Sequence, residues 1–260
     1  MSNEPILFET TKNIAQITLN RPDNRNSMND ETMPAFSEAV SRAKEDKSIR
    51  CLIITGSGNS FCSGADFKSG LFDSRDRLPY QILMDAYGPF LALDKLEMPI
   101  IAAMNGHAIG GGFGLALMCD IRIANRHSKY GANFARLGLH SGMAVSYLLP
   151  MIVGLPRANE LLFTGRLITG KLAAEIGLAN YALEGDQVLE KAWELAEEIA
   201  ACAPVAVKMI KHAIHRGIDW DPRNSAEIDS LYQSRTFEME DAKEGISALL
   251  ENRQPVFKGR

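Results

Sequence analysis

Pro99–Ala124 reads PIIAAMNGHAIGGGFGLALMCDIRIA, and the fold turns on how this stretch divides. Pro99–Met104 is a near-continuous apolar run, the pattern of a strand buried on both faces. It runs into NGHAIGGG, where glycine permits positive φ and lets another backbone or a ligand come close. Leu115–Cys119 reads as helix and Ile121–Ala124 as a further strand. A glycine loop that opens a helix exposes unpaired N–H groups at the positive end of the helix dipole. His107, just after the strand, reads as a packed and satisfied side chain.

Working outward, Cys51–Thr55 (CLIIT) is a second apolar run, followed by the Gly- and Ser-rich segment 56–70 that contains GSGNSFCSGAD. Two glycine loops that face one another can hold a single oxygen carrying developing negative charge. Tight packing explains the same glycines, and on these residues alone both readings stand. Further out, Ile6–Phe8 and Ile14–Leu19 alternate as two strands joined by a polar turn. The loop NRPDNRNSM follows, and Asn29 or Asp30 can cap a helix with Phe36, Val40 and Ala43 on one face. A helix over about Tyr80–Leu96 ends at Met98–Pro99. From Gly142 onward the pattern is helical. Gln187–Ala201 carries the stripe Val188, Ala192, Leu195 and Ile199, Pro204 can open another helix, and Ser225–Asn252 is helical and strongly charged. The order gives an α/β core with a helical C-terminal region.

Composition narrows the function classes. The chain has 260 residues, 46% hydrophobic, with net charge −4, which is no charge balance for wrapping nucleic acid. Charge, Gly or Pro breaks every apolar stretch before roughly 18 residues, so no membrane span is expected. MSNEPILFET is neither a secretory signal nor an Arg-rich transit peptide. Four cysteines, Cys51, Cys62, Cys119 and Cys202, are scattered without a CxxC pair, which fits reduced thiols and a cytoplasmic protein. The chain has no dinucleotide fingerprint, P-loop, HExxH or GxSxG motif, and no metal is expected.

Taken together, NRPDNRNSM, SFCSGAD, PIIAAMNGHAIGGGFGLALMCDIRIA, VGLPRANELLFTGRLITGKLAAEIGLAN and EGISALLENRQPVFKGR closely resemble, in order and across the chain, the crotonase superfamily, the enoyl-CoA hydratase/isomerase family. The resemblance implies an α/β fold built as a spiral of ββα units, with a helical C-terminal region used in trimerisation. It divides the chain into residues 1–200, the core with the CoA and acyl site, and 201–260, the trimerisation region, in a homotrimer or a hexamer made as a dimer of trimers. It implies an acyl-CoA thioester as substrate and no separate cofactor, because coenzyme A arrives as part of that substrate. The backbone amides of Ala65 and Gly111 fall where the family binds the thioester oxygen. Asn24, Arg25, Ser63, Asp66 and Phe67 fall at its CoA contacts, as do Phe257 and Lys258. Arg25 is either a phosphate or adenine contact or a solvated loop arginine. Asp66 is expected to hold its loop by accepting backbone N–H bonds.

The resemblance also carries departures. Hydratases of this family use two glutamates, and by motif position Gly114 and Phe134 stand in their places here. Aspartates that relatives use correspond to Gly142 and Ser141. None of these four residues can serve as a carboxylate acid or base, a function typically worth 10²–10⁴-fold in rate. His140 remains nearby, either as a proton shuttle or as a support for the following helix. Phe134 is expected to line the acyl pocket, with Met143, Tyr87 and Phe90 making it apolar. The expectation is an enzyme acting on an acyl-CoA through an enolate, as a hydratase-like lyase, an isomerase or a thioester hydrolase. A catalytically silent acyl-CoA-binding or regulatory protein is the alternative, and a purely structural trimeric scaffold the third reading.

Overall fold

The computed structural model describes residues 4–66, 68–69, 78–217, 230–233, 235–236 and 238–260. Phe67 lies outside the described residues, as do 225–229 of the C-terminal helical expectation. The chain opens with a hairpin, β1 (Ile6–Thr11) and β2 (Ile14–Leu19), followed by α1 (Thr32–Glu45). Asn29 caps α1: its Oδ1 accepts from the Thr32 amide at 2.8 Å.

Three similar units follow. β3 (Cys51–Gly56), β4 (Ser60–Cys62) and α2 (Pro79–Leu91) form the first. The second is β5 (Ile100–Met104), β6 (His107–Ile109) and α3 (Gly111–Leu117). The third begins with β7 (Ile121–Asn125) and β8 (Lys129–Gly131) and continues, after a 3-10 turn at Phe134–Leu137, into α4 (Val145–Val153) and α5 (Leu155–Thr164). In each unit the first strand joins one sheet and the second strand another. The larger sheet runs β1-β2-β3-β5-β7-β10 and the smaller β4-β6-β8-β9, with β9 at Ile168–Thr169 and β10 at Tyr181–Leu183. β2, β3, β5, β7 and β10 pair in parallel, as do β4, β6 and β8. This is a ββα spiral.

The period of two along β3 and β5 explains their unbroken apolar sequence. Cys51, Ile53, Ile101 and Ala103 pack with Ile14 and Ile123 against Val188, Ala192 and Ala196 of α7 (Gln187–Ala200). Leu52, Ile54, Ile100 and Ala102 face the other way, into the main core with Phe36, Phe61, Phe90 and Leu115. Between β9 and β10 lies α6 (Gly170–Glu175), whose Thr169 cap accepts the Leu172 amide. α8 (Pro204–Gly217) is tied to the loop before β5: buried Lys211 donates to the Met98 carbonyl at 2.9 Å and pairs with Asp120 at 2.8 Å, and His215 meets the same carboxylate at 2.9 Å. These partners and the Ile100 amide hold the Asp120 carboxyl below its ordinary value, against the opposing effect of burial.

The helix read over Leu115–Cys119 begins earlier, at Gly111, inside the glycine run itself. Glycine's low helix propensity conceals this in the sequence. Packing overrides it: a Cβ at Gly112 would collide with the Cys62 carbonyl of β4. The helix read over Tyr80–Leu96 closes at Leu91 and passes into a 3-10 turn at Ala92–Lys95.

Candidate functional site

The two glycine loops meet. Gly64 has φ +88°, and a Cβ built there would lie 2.8 Å from the Ile109 carbonyl and 3.1 Å from the Gly111 nitrogen. Gly110, at φ +58° and ψ −120°, occupies a backbone region that L side chains avoid, and so turns the chain directly into the first residue of α3. Gly111 therefore presents its N–H at a helix N-terminus, where no carbonyl of the helix can accept it. Ala65 is positioned by a single parallel bridge to Met28: the Met28 amide donates to the Gly64 carbonyl at 2.9 Å, and the Asp66 amide to the Met28 carbonyl at 2.8 Å. Such a bridge uses the groups on either side of Ala65 and turns the Ala65 N–H the opposite way. Among the described residues, neither the Ala65 nor the Gly111 amide has an acceptor.

The loop carrying Ala65 is held by two asparagines whose importance the sequence did not reveal. Asn26 is buried. Its Oδ1 accepts the Arg21 amide at 2.8 Å, and its Nδ2 donates to the Ser57 and Ser60 carbonyls at 2.9 and 2.7 Å. Asn105 accepts the Gly56 amide at 3.1 Å and donates to the Gly58 carbonyl at 2.8 Å. The signal was only that both lie in otherwise loop-like stretches, NRPDNRNSM and MNGHA. Asp66 accepts the Lys68 amide at 3.1 Å and lies 4.0 Å from Arg21, so its carboxylate serves the loop as expected.

Beyond Gly111 the site wall is built from side chains that fill the space beside glycines. A Cβ at Gly114, one turn into α3, would lie 2.5 Å from the Met143 Cβ. Met143 and Ala144 both have left-handed backbone, φ +58° and +55°, at a cost of about 1–2 kcal/mol each. A Cβ at Gly142 would press into the Tyr87 hydroxyl, with Cζ of the same ring at 3.0 Å. The Phe134 ring lies over Gly110, 3.8 Å from where its Cβ would be. His140 is exposed, its Nδ1–H donating to the Ser141 carbonyl at 2.7 Å. His107 is satisfied as expected: its Nδ1 accepts the Lys129 amide at 2.9 Å, which leaves the proton on Nε2. Phe90 is buried in the core and meets Phe36 edge-on at 4.9 Å, so it supports the wall without facing the site.

Two cavities gather the remaining expected residues. Arg25 and Ser63 line one of about 660 Å³ together with Asp23, Asn59, Ser60 and His107. Arg25 has φ +54° and accepts the Ser63 amide at 3.1 Å, and Asn24 closes the same turn by accepting the Ser27 amide. Lys258 lines another of about 490 Å³ at the C-terminus with Asp241, Lys243 and Glu244, and the Phe257 ring packs on Gly245. Among the described residues no group of three His, Cys, Asp or Glu side chains is placed to hold a metal ion, and no helix is long and apolar enough to cross a membrane. Cys51, Cys62 and Cys119 are buried free thiols, each pushed up to about 12 chiefly by burial, whereas Cys202 is exposed.

Residues 9–260 match the family model described as Enoyl-CoA hydratase/isomerase. The chain is 34% identical over 258 residues to the short-chain-enoyl-CoA hydratase of Clostridium acetobutylicum, covering 98% of each chain. It is 36% identical over 260 residues to the mitochondrial enoyl-CoA hydratase domain-containing protein 2 of Bos taurus, covering 95% of this chain and 84% of that one. Its fold superimposes on the crystal structure of an enoyl-CoA hydratase from Bacillus anthracis with a TM-score of 0.93 at 32% identity, over 98% of this chain and 100% of the other.

Proposed function

The chain belongs to the enoyl-CoA hydratase/isomerase family, and from that premise we propose that it acts on an acyl-CoA thioester through an enolate whose oxygen rests on the amides of Ala65 and Gly111. The observation that carries this reading is the pair of adjacent amides without acceptors among the described residues, each fixed by backbone geometry before a substrate arrives. Donors already aimed at the developing charge need no reorganisation, which is why such sites supply a large share of an enzyme's rate enhancement. Coenzyme A enters with the substrate and no other cofactor is required. The cavity lined by Arg25 and Ser63 is the proposed seat of its phosphates, with Asn24 shaping the turn that carries Arg25, and Phe257 and Lys258 of the C-terminal segment reaching the CoA of the same or a neighbouring subunit. Exposed apolar side chains on α4 and α5 support assembly into a homotrimer or hexamer, and the free thiols fit a reducing cytoplasm.

The reaction class proposed is a hydratase-like lyase, an isomerase or a thioester hydrolase. One observation favours a second reading, a silent acyl-CoA-binding protein: the space at Gly114, where the resemblance expects a glutamate, is filled by Met143. Gly111→Pro separates the two. Proline is tolerated at the first position of a helix, so the change deletes the donor and spares α3. With crotonyl-CoA followed by loss of enone absorbance, the enzymatic reading expects turnover that falls about 10²–10³-fold in Gly111→Pro. Crotonyl-CoA that binds without turnover, extended to a broader enoyl-CoA panel with the same result, supports the silent alternative.

A further inference from the structure

The Tyr87 hydroxyl is a polar group in this site that the proposed function leaves without a task. It belongs to α2, yet it is pressed against Gly142, the residue that precedes Met143. Met143 in turn touches the position where a Gly114 side chain would begin, three residues (a rise of about 4.5 Å) along α3 from Gly111. A continuous line of contacts therefore leads from the oxyanion-binding amides to the phenol oxygen. Tyr87 is half-buried and packs against the main core, but among the described residues its hydroxyl has no hydrogen-bond partner. The hydroxyl is not sealed in the core, where it would need a partner, but lies against Gly142 on the loop that walls the site. Two consecutive residues in left-handed backbone, Met143 and Ala144, hold the loop in the place where Gly142 receives the hydroxyl.

We propose that Tyr87 is the proton carrier of this site, exchanging a proton with the α-carbon of a CoA thioester whose oxygen is bound by Ala65 and Gly111. The inference rests on the enolate reading above. In the forward sense the enolate C=C electron pair forms the new Cα–H bond, the Tyr87 O–H bond breaks, and the thioester C=O is restored. The phenolate then takes a proton from water, which regenerates the hydroxyl and leaves hydroxide to pass to solvent. In the reverse sense the phenolate removes the α-proton and the electron pair moves into the enolate. Burial raises the phenol above the ordinary tyrosine value, so at neutral pH the group is protonated and has a proton to give. No charged side chain contributes to that shift, neither Asp85 on the same helix nor His140 on the facing loop.

The test needs no knowledge of the natural acyl chain. Butyryl-CoA is incubated with the protein in D₂O and deuterium at the α-carbon is followed by mass spectrometry. Wild type is expected to exchange above the protein-free rate, and the enzyme-dependent part to climb with pH until the phenol ionises. Tyr87→Phe is expected to keep butyryl-CoA affinity, to lose exchange by about 10²-fold or more, and to lose the climb with pH. Gly142→Ala, which displaces the hydroxyl and leaves it intact, is expected to lower exchange as well. Wild-type exchange in Tyr87→Phe overturns the proposal, as does exchange abolished by His140→Ala and untouched by Tyr87→Phe. If wild type binds butyryl-CoA and exchanges nothing, the enolate reading itself fails, an outcome distinct from a failure of Tyr87 alone.

Discussion

At the scale of single residues, the wall beyond Gly111, the proposed acyl side of the site, is defined by what stands beside its glycines. Met143 occupies the space a side chain at 114 would need, 2.5 Å from the would-be Cβ, and it does so from a left-handed backbone that has little room to yield. Gly114→Glu is therefore expected to overpack the site, to cost about 1–3 kcal/mol of stability and to add no turnover. Thermal unfolding checks the first part, and Gly114→Glu/Met143→Gly is expected to recover most of the loss. The glycine loops that bring the Ala65 and Gly111 amides together were legible in the sequence, because the positive φ of Gly64 and Gly110 and their close approach leave a compositional mark. The filling of Gly114 and Gly142 was not. Met143 and Tyr87 are ordinary apolar or aromatic residues in sequence, and only tertiary contact shows that each closes a gap beside a distant glycine. Asn26 was hidden in the same way, since a buried asparagine bridging three backbone segments looks like any loop asparagine.

At the scale of elements, long buried strands and amphipathic helices could be read and short strands could not. β3, β5 and α7 follow their hydrophobic pattern closely. β4, β6 and β8 have three residues each, too few to show an alternation, so the smaller sheet read as loop until the strands were seen paired. The last helix, α9 (Glu240–Glu251), adds a contact that local patterning does not reveal. Glu244 accepts from Arg253 at 2.6 and 2.9 Å and from the Val256 amide at 2.9 Å, fastening the C-terminal segment to the helix. The Arg253 hydrogen bond, then that of Val256, depresses the Glu244 carboxyl to about 2. A depressed carboxyl stabilises only while ionised, so this tie is fully present above about 4.5 and is lost as pH falls toward about 2. Glu244→Gln is expected to raise amide exchange at Val256 at neutral pH, and wild type to lose the same protection only in acid. Hydrogen exchange read by mass spectrometry distinguishes the two.

At the scale of the whole molecule, the fold class and the order of its parts followed from the run of strands, glycine loops and C-terminal helices, whereas assembly leaves no mark on a single chain beyond exposed apolar surface. Tyr147 and Met151 on α4 and Leu155 and Phe163 on α5 are 61%, 40%, 62% and 77% exposed, apolar surface on adjoining helices that supports the proposed assembly. Sedimentation equilibrium is expected to give three or six times the chain mass of 28.6 kDa, and Met151→Asp combined with Phe163→Asp to give a smaller species. The site itself is assembled from parts of different origin. The amides proposed to bind the carbonyl follow β4 and β6 of the smaller sheet, while Met143 and Tyr87 come from a loop and a helix outside the sheets. On the proposed function, the anchor for the thioester and the chamber for the acyl group can thus diverge at separate rates. A lineage could exchange one chamber for another by a few substitutions on α2 and the 140–144 loop, keeping a common grip on coenzyme A while exploring new acyl chemistry.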